Sequence, residues 1–490
     1  MSELDELREV RLEKLRTLEK KKINPFPSTS KKTATNQEVD KKFDDWSGKK
    51  KKLTLAGRLM SKREHGGLVF GELRDFSGDF QILFKKDVLS QKLWDILIDL
   101  IDIGDFIEAT GTLFMTQRDE KTLLVDKFTL LTKSLRPLPE KWHGLVDLET
   151  RFRQRYLDLL MNPEVKQRFI IRHQLVKEIR NFLIKDGFIE VDTPALQPLP
   201  GGALATPFVT HYDAMDTDAY LRIAPELYLK RLIIGGFEKV FEFARVFRNE
   251  GMSTQHLQDF TMLEFYMAYI DYEDLMKFTE KLLITVIQKV FNATQLTLGD
   301  QTIDFTSPWP RKSFQELIQQ ETGINIDEYP TEEDLHQAIQ EKNIHLTYTG
   351  KDSRGKLIDE LYKEKVRPKL MNPTFLIDHP LDLSPLAKKK AKEPDKVQRF
   401  QLIVKGMEIV NAFSELNDPI DQAERFATQV KEKEAGNIEA HSMDADFVKA
   451  LEYGMPPTAG FGMGIDRLVV LLTNADSIRE AVLFPFIKPS

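Results

Sequence analysis

The chain of 490 residues contains no cysteine, which excludes disulfides, thiol nucleophiles and every cysteine-ligated metal centre at once. Its nine histidines form no HExxH pair, the spacing a helical zinc hydrolase needs. No run of 18 apolar residues occurs, and the opening MSELDELREV is charged where a secretory leader needs an apolar core. These absences predict a cytoplasmic protein with no membrane span. A strong charge bias is also missing: the net charge is -7 and the pI about 5.9. Any contact with nucleic acid therefore has to come from local basic patches.

What is present is a hydrophobic content of 41%, ample for burial, in a length that suggests two or three domains. Residues 1–50 read as a basic helical extension. The first 52 residues carry 15 Lys and Arg against 10 Asp and Glu, with Leu4, Leu7, Leu12, Leu15 and Leu18 at near-helical spacing, a pattern that on its own describes a solvated helix and a linker. Residues 51–135 follow with strands LTLAGRLM, VFGELRDF and DFQILFKK, a helix SQKLWDILIDLI, and strands DFIEATGTLFMT and TLLVDKFTLLTK. That order is the one a five-stranded OB-fold β-barrel requires. Such barrels hold single-stranded nucleic acid by stacking bases on aromatics beside basic groups, and Arg58, Phe70 and Gln81 are the candidates. Residues 136–165, with prolines and then an arginine-rich helix, read as a linker.

Beyond the linker, Phe169, Leu175, Val176, Ile179, Phe182 and Leu183 mark an amphipathic helix that Gly187 ends, and the strand FIEVDTPAL follows. Residues Val240 to Tyr269 read as two strands joined by a polar loop. Glu242, Arg248 and Glu250 share one face of the first arm, opposite Phe241, Phe243 and Phe247. Glu264 and Tyr266 share a face of the second, opposite Leu263, Phe265 and Met267. An arginine and three carboxylates are costly to bury on apolar strands without partners, so this hairpin is expected to line a wet cleft. The same logic covers Arg399 to Pro419, where Lys405 and Gly406 suit a hairpin turn and Asn411, Phe413 and Glu415 recur on one strand face. Gly201 and Gly202 allow close backbone approach to a ligand. Glu226 opens a helix after Pro225, where a carboxylate serves as a dipole partner as readily as a ligand.

Two motifs imitate nucleotide loops and fail. GKDSRGKL, Gly350 to Leu357, has Leu357 where a phosphate loop needs a hydroxyl for Mg²⁺, so a capped helix is expected instead. In GMPPTAGFGMGIDRLVVLL, Gly460 and Gly462 would demand a third glycine at position 465, which is Ile465.

Taken in order, these segments resemble the class II aminoacyl-tRNA synthetases. The helix, strand and Pro194 resemble motif 1, the FRNE of Phe247 to Glu250 motif 2, and the GMGIDR that ends at Arg467 motif 3. The barrel, the APELYLK segment, the SELND strand and the terminal VLFPFIKP resemble the lysyl branch of that class. The resemblance implies an α+β fold in which residues 166–490 form a class II catalytic domain on an antiparallel sheet flanked by helices, with a small helical insertion at about 290–370. It implies ATP-dependent activation of L-lysine, transfer to tRNA(Lys), Mg²⁺ as cofactor, and a homodimer built through motif 1.

By the same resemblance, Arg248 and Arg467 are the catalytic arginines, Arg248 clamping the α-phosphate and the lysine carboxylate. Glu250 and Phe260 hold adenine, while His256 and Arg467 meet the outer phosphates. Gly202, Glu226, Glu264, Tyr266, Asn411, Phe413, Glu415 and Gly462 form the lysine site, with Glu226 on the α-amino group and Glu264, Tyr266 and Glu415 around the ε-ammonium. Glu408 and the residue at position 401 are the metal positions, and Arg58, Phe70 and Gln81 read the anticodon. The chain departs from the pattern at Gln401 and Lys127, where the family has glutamates, and at HLQD, His256 to Asp259, where it has HNPE. Two alternatives stay open: an aspartyl or asparaginyl enzyme, against which Glu264 and Glu415 argue, and a non-catalytic RNA-binding relative, against which Arg248, Glu408 and Arg467 argue.

Overall fold

The computed structural model describes residues 3–139, 145–251, 253–347, 353–434 and 443–488, and the chain divides into two compact units, residues 1–145 and 146–490. In the first, helix α1 (Glu3–Lys20) precedes strands β1 (Lys52–His65), β2 (Leu68–Asp75) and β3 (Gly78–Lys85), helix α2 (Gln91–Leu100), and strands β4 (Phe106–Met115) and β5 (Lys121–Thr132). The strands close in the order β1-β2-β3-β5-β4, the expected OB barrel. Its interior is filled by the inward positions of every strand, among them Leu55, Leu73, Ile82, Phe84, Ile107 and Val125.

The N-terminal extension is more than a solvated helix. Leu18, Ala34, Val39 and Phe43 are buried in the same cluster as the barrel residues, and Lys14 forms an ion pair with Asp102 at 2.6 Å. Only Leu4 and Leu7 of the expected leucines are exposed. The charge count hid this because each apolar contact is isolated among lysines and acids.

The second unit is built on one eight-stranded sheet. Its members are β6 (Ile189–Glu190), β7 (Lys239–Phe247), β8 (Asp259–Ala268), β9 (Arg311–Ser313), β10 (Thr374–Ile377), β11 (Arg399–Val404), β12 (Met407–Ser414) and β13 (Thr458–Gly464). They run in the order β9-β10-β11-β12-β13-β8-β7-β6, antiparallel through the centre and parallel at the two edges, β9 with β10 and β6 with β7. Lys405 and Gly406 do turn the β11–β12 hairpin, both with positive φ (50° and 66°), as the twist of a two-residue connection requires. One sheet face packs Phe241, Leu263, Phe265, Val410, Phe461 and Met463 against helices α3 (Pro163–Lys185), α5 (Tyr272–Phe291) and α6 (Ile465–Leu472), while α4 (Glu226–Ile234) packs Leu227, Leu229 and Ile233 against Val240, Tyr266 and Ala268 of the opposite face. Phe265 and Phe461 stack at 4.3 Å.

Two local expectations change. FIEVDTPAL joins the main sheet only at Ile189–Glu190; past Pro194, which has no N–H to extend a ladder, Leu196 enters a separate three-stranded sheet. In the 290–370 stretch, residues 295–304 form a hairpin about Gly299, QLTL against QTID, because alternating Thr, Leu and Ile favour strand pairing. The helices gather over 314–361 around Phe314, Ile318, Leu335, Leu357 and Ile358. The loop that imitates a phosphate site falls here. Gly350 lies outside the described residues, and Leu357 is buried in a helix (Arg354–Leu361) preceded by Ser353.

The first helices of the second unit are tied to its C-terminal segment by a buried arginine that is also ion-paired within its own helix. Arg155 meets Asp158 at 2.5 Å, both fully buried, and donates to the carbonyls of Arg479, Val482 and Leu483. Removing one partner of such a pair leaves an uncompensated buried charge. Asp158→Ala is therefore expected to lower unfolding free energy by about 3–5 kcal/mol, measured by urea denaturation, and a loss under about 1 kcal/mol would show that the backbone carbonyls alone satisfy Arg155.

Candidate active site

The open face of the sheet bears a cavity of about 310 Å³, and strand register decides what lines it. One row across β11, β12, β13, β8 and β7 reads Gln401, Asn411, Gly462, Glu264, Glu242. The adjacent same-face row reads Arg399, Phe413, Gly460, Tyr266, Val240. The residues flanking the central glycine of each row are polar or aromatic, so the floor of the cavity is bare backbone and its walls carry the chemistry.

The two glycines are not equivalent. A Cβ at Gly460 would fall 1.9 Å from Glu415 Oε1 and 2.5 Å from the Tyr266 ring, so the carboxylate occupies the space a side chain would take. At Gly462 a Cβ would meet nothing nearer than the Asn411 carbonyl at 3.6 Å, and the room it leaves belongs to the cavity. Gly202, with φ 87°, closes the opposite wall against Glu226, whose Cβ would lie 2.9 Å from an added methyl.

At the carboxylate end, Glu226, Glu264 and Glu415 are all buried. Burial pushes the Glu264 carboxyl well above its ordinary range, with the charge of Glu226 adding to the effect; Tyr266 Oη donates to Glu264 Oε2 at 3.2 Å. Burial raises Glu415 too, and Lys230 opposes it. Lys230, fully buried behind the wall, contacts Glu226 Oε1 at 2.6 Å and pairs with the Glu415 carboxylate. Burial pulls its ammonium down and the two carboxylates more than restore it.

At the other end stand the arginines. Arg248 lies 5.2 Å over the Phe260 ring and leans on the Ile223 carbonyl. Arg467 Nη1 donates to the Glu408 carbonyl at 3.3 Å, and Nη2 lies 3.4 Å from His256 Nε2. The His256 ring, with Ser253 Oγ 2.8 Å from Nδ1, is held below its ordinary pKa by burial and by Arg467, so near pH 7 it is a neutral hydrogen-bonding group. Asp466 fixes the start of α6 by accepting from Arg172 and from the Thr261 N–H, each at 2.7 Å, which aims the neighbouring Arg467 into the cavity.

Two comparisons bear on this arrangement. The family model "tRNA synthetases class II (D, K and N)" matches residues 147–488, and the "OB-fold nucleic acid binding domain" matches residues 53–131. A lysine–tRNA ligase from Pelotomaculum thermopropionicum is 47% identical over 99% of this chain and 96% of its own length. Those from Syntrophomonas wolfei and Thermosipho africanus are 48% and 45% identical, over 99% of this chain and 98% and 97% of theirs. The chain belongs to the lysine–tRNA ligase family of class II tRNA synthetases.

Of the catalytic-site residues expected from the synthetase's sequence, all but Gln401 line the one cavity. Gln401 sits at the end of its row, 8% exposed, against the buried His379 ring. Glu242, read as facing the cleft, does not reach it either: it is bound to Arg222 at 2.6 Å and to Thr193, a structural pair at the far end of the row. Among the described residues no three His, Asp or Glu converge as a metal cage. Beside the arginines the cavity is lined by Glu250, Glu408 and Asp466; with Asp466 engaged by Arg172 and Thr261, Glu408 suits a Mg²⁺ held by one carboxylate and by nucleotide phosphates. Lys230, Gly460 and Arg399 were missed. Arg399, which bonds Asn411 Oδ1 at 2.8 Å, orients that amide so its N–H groups face the cavity. The i, i+4 spacing of Glu226 and Lys230 was the available signal.

In the synthetase's barrel, Arg58, Phe70 and Gln81 share one outer face, because Arg58 pairs with Arg74, and Phe70 shares the β2 face of Glu72 and Arg74, with Gln81 opposite Glu72. All three are half-buried. Arg58 lies 4.2 Å over Phe106, Gln81 donates to Thr122 Oγ1 at 2.8 Å, and Lys127 is exposed on β5.

The glycine asymmetry makes a paired prediction. Gly460→Ala displaces Glu415 and should cost amino-acid affinity by about 30-fold or more, on the scale of leaving a buried charge unpaired. Gly462→Ala should leave thermal stability within about 1 °C and weaken only ligand binding. Equal loss of stability in both variants, measured by calorimetry beside equilibrium binding, would contradict the assignment of the space at Gly462 to a ligand.

Proposed function

We propose that the protein activates L-lysine with ATP to lysyl-adenylate and transfers the lysyl group to tRNA(Lys). The observation that carries this is the polarity of one cavity: three carboxylates and a tyrosine at one end, two arginines and a histidine at the other. A diamino acid fits that gradient with its ammonium groups among Glu226, Glu264 and Glu415 and its carboxylate toward Arg248. An aspartate substrate would put its side-chain carboxylate against Glu264 and Glu415, where the one nearby ammonium, that of Lys230, is already paired with Glu226 and Glu415.

In the first step a lysine carboxylate oxygen attacks the α-phosphorus of ATP and pyrophosphate leaves. In the second a ribose hydroxyl of the terminal adenosine attacks the acyl carbon and AMP leaves. No nucleophile from the protein is needed, and positioning with charge neutralisation supplies the rate. Arg248 draws the two reacting groups together, Phe260 and Glu250 hold the adenine, and His256 and Arg467 take the outer phosphates. Mg²⁺, held beside Glu408, would supply further neutralisation of phosphate charge. Gln401, which does not line the cavity, could offer only a neutral oxygen in place of a second carboxylate.

The barrel face of Arg58, Phe70 and Gln81 is the proposed anticodon reader, and Lys127 changes how the middle base is met. A homodimer is proposed through the motif 1 region, supported by the exposed apolar side chains of Ile184, Ile189, Val209 and Met215. No helix among the described residues is long and apolar enough to cross a membrane, and the proposed location is the cytoplasm.

Amino-acid-dependent ATP–pyrophosphate exchange with a panel of amino acids tests the reading: lysine alone should support rapid exchange, and exchange with aspartate or none at all would overturn it. Phe70→Ala should weaken tRNA binding by about 1–3 kcal/mol, the worth of one stacked base, with exchange unchanged. Equal damage to both activities would make Phe70 a structural residue of the barrel.

A further inference from the structure

Lys230 lies outside every role described so far. Its side chain is 0% exposed, it does not line the cavity, and yet both of its ionic partners do. Glu226 stands in the first turn of α4, one helical turn before Lys230, at 2.6 Å. Glu415 follows the end of β12 and belongs to the sheet, not to α4. A single buried ammonium thus couples a helix carboxylate to a sheet carboxylate. Phe413 and Phe447 stand 5.6 and 5.9 Å from the ammonium, and its side chain is fully buried.

The Glu415 carboxylate is confined from the other side as well, because one oxygen occupies the space above Gly460. It cannot retreat toward the strand, and it cannot swing away from α4 without abandoning the only cation paired with it among the described residues. Glu226 is held in the same way, by Lys230 on its own helix and by Gly202 across the wall. Two carboxylates fixed through one ammonium have a fixed separation. For a ligand with an ammonium at each end of a methylene chain, that separation is a ruler.

We propose that Lys230 is a specificity-determining positioning residue: by clamping Glu226 and Glu415 through one buried ammonium, it sets the length of diamino acid that the cavity accepts. The inference rests on the lysine reading, in which Glu226 takes the α-ammonium and Glu415 shares the ε-ammonium. Ornithine, one methylene shorter, cannot engage both carboxylates while they are held at the lysine spacing. With the clamp released, Glu415 gains freedom to follow the shorter chain.

The experiment is pyrophosphate exchange with lysine and with ornithine on the full-length wild type, Lys230→Met and Lys230→Arg, with the KM for ATP and the melting temperature taken alongside. Lys230→Met removes the charge at nearly constant volume. It should raise the lysine KM and lower the lysine-over-ornithine ratio of kcat/KM by about tenfold or more, the least that one methylene is worth in a fitted pocket, while the KM for ATP stays within about twofold. Lys230→Arg keeps both carboxylates compensated and tests the claim even where the methionine variant fails to fold. Its planar cation changes the spacing, so the ratio should again shift. An unchanged ratio in Lys230→Arg, or equal losses with both amino acids in Lys230→Met, would make Lys230 a structural counter-ion and overturn the inference while leaving the lysine reading intact. No lysine-dependent exchange by the wild type would overturn both.

Discussion

The constraint on which the catalytic unit depends is the burial of like charges. Glu226, Glu264 and Glu415 converge on one small cavity in a sheet whose reverse face is a phenylalanine-rich core. Each of them, ionised and unpartnered in that setting, would cost several kcal/mol. Three local solutions are visible. Lys230 bridges two of the carboxylates, the Tyr266 hydroxyl serves the third, and the β13 glycines leave backbone and empty space where side chains would force the groups apart. What remains is a pocket that is still short of positive charge, which is the condition for binding a cation and not merely tolerating one.

The opposite end of the cavity is organised by the inverse problem, the close approach of cations. Arg248 and Arg467 both enter the site half-buried, and among the described residues neither has a carboxylate at salt-bridge distance. Their support is indirect: the Phe260 ring and the Ile223 carbonyl under Arg248, and the Asp466–Arg172–Thr261 contacts that set the start of α6 for Arg467. Without a direct ion pair these guanidinium groups stay open to anionic ligands, while the nearby charges of Glu250, Glu264 and Glu408 help keep Arg248 ionised. The neutral imidazole of His256 adds a hydrogen-bonding group without adding to their repulsion.

Much of this was legible from residue order because the structure obeys simple periods. The barrel follows from five alternating strands and one helix in sequence, and Glu264, Tyr266, Asn411 and Phe413 follow from period two on strands that are otherwise apolar. Period two says which face a residue takes and not how far along a row the cavity extends. Glu242 was placed in the site for that reason: it is on the correct face but one strand too far out, while position 401, assigned by resemblance, lies beyond the cavity although Arg399 on the same strand lines it. Lys230 was missed because a lysine in an amphipathic helix is ordinarily a solvated one, and only the arrival of Glu415 from a distant strand makes its burial intelligible. The packing of the N-terminal extension was hidden in the same way, since Leu18, Val39 and Phe43 are single apolar residues whose partners are remote in sequence.

The central claim is that one cavity holds a diamino acid by its charge gradient, ammonium groups toward the carboxylates and carboxylate toward Arg248. A crystal structure with L-lysine and a non-hydrolysable ATP analogue tests it most directly. The account predicts the ε-ammonium within hydrogen-bond distance of Glu264 or Glu415, the α-ammonium at Glu226, and the lysine carboxylate beside Arg248 and the α-phosphate. Lysine bound in the reverse direction, or with its ε-ammonium in solvent and Glu264 and Glu415 untouched, would contradict it.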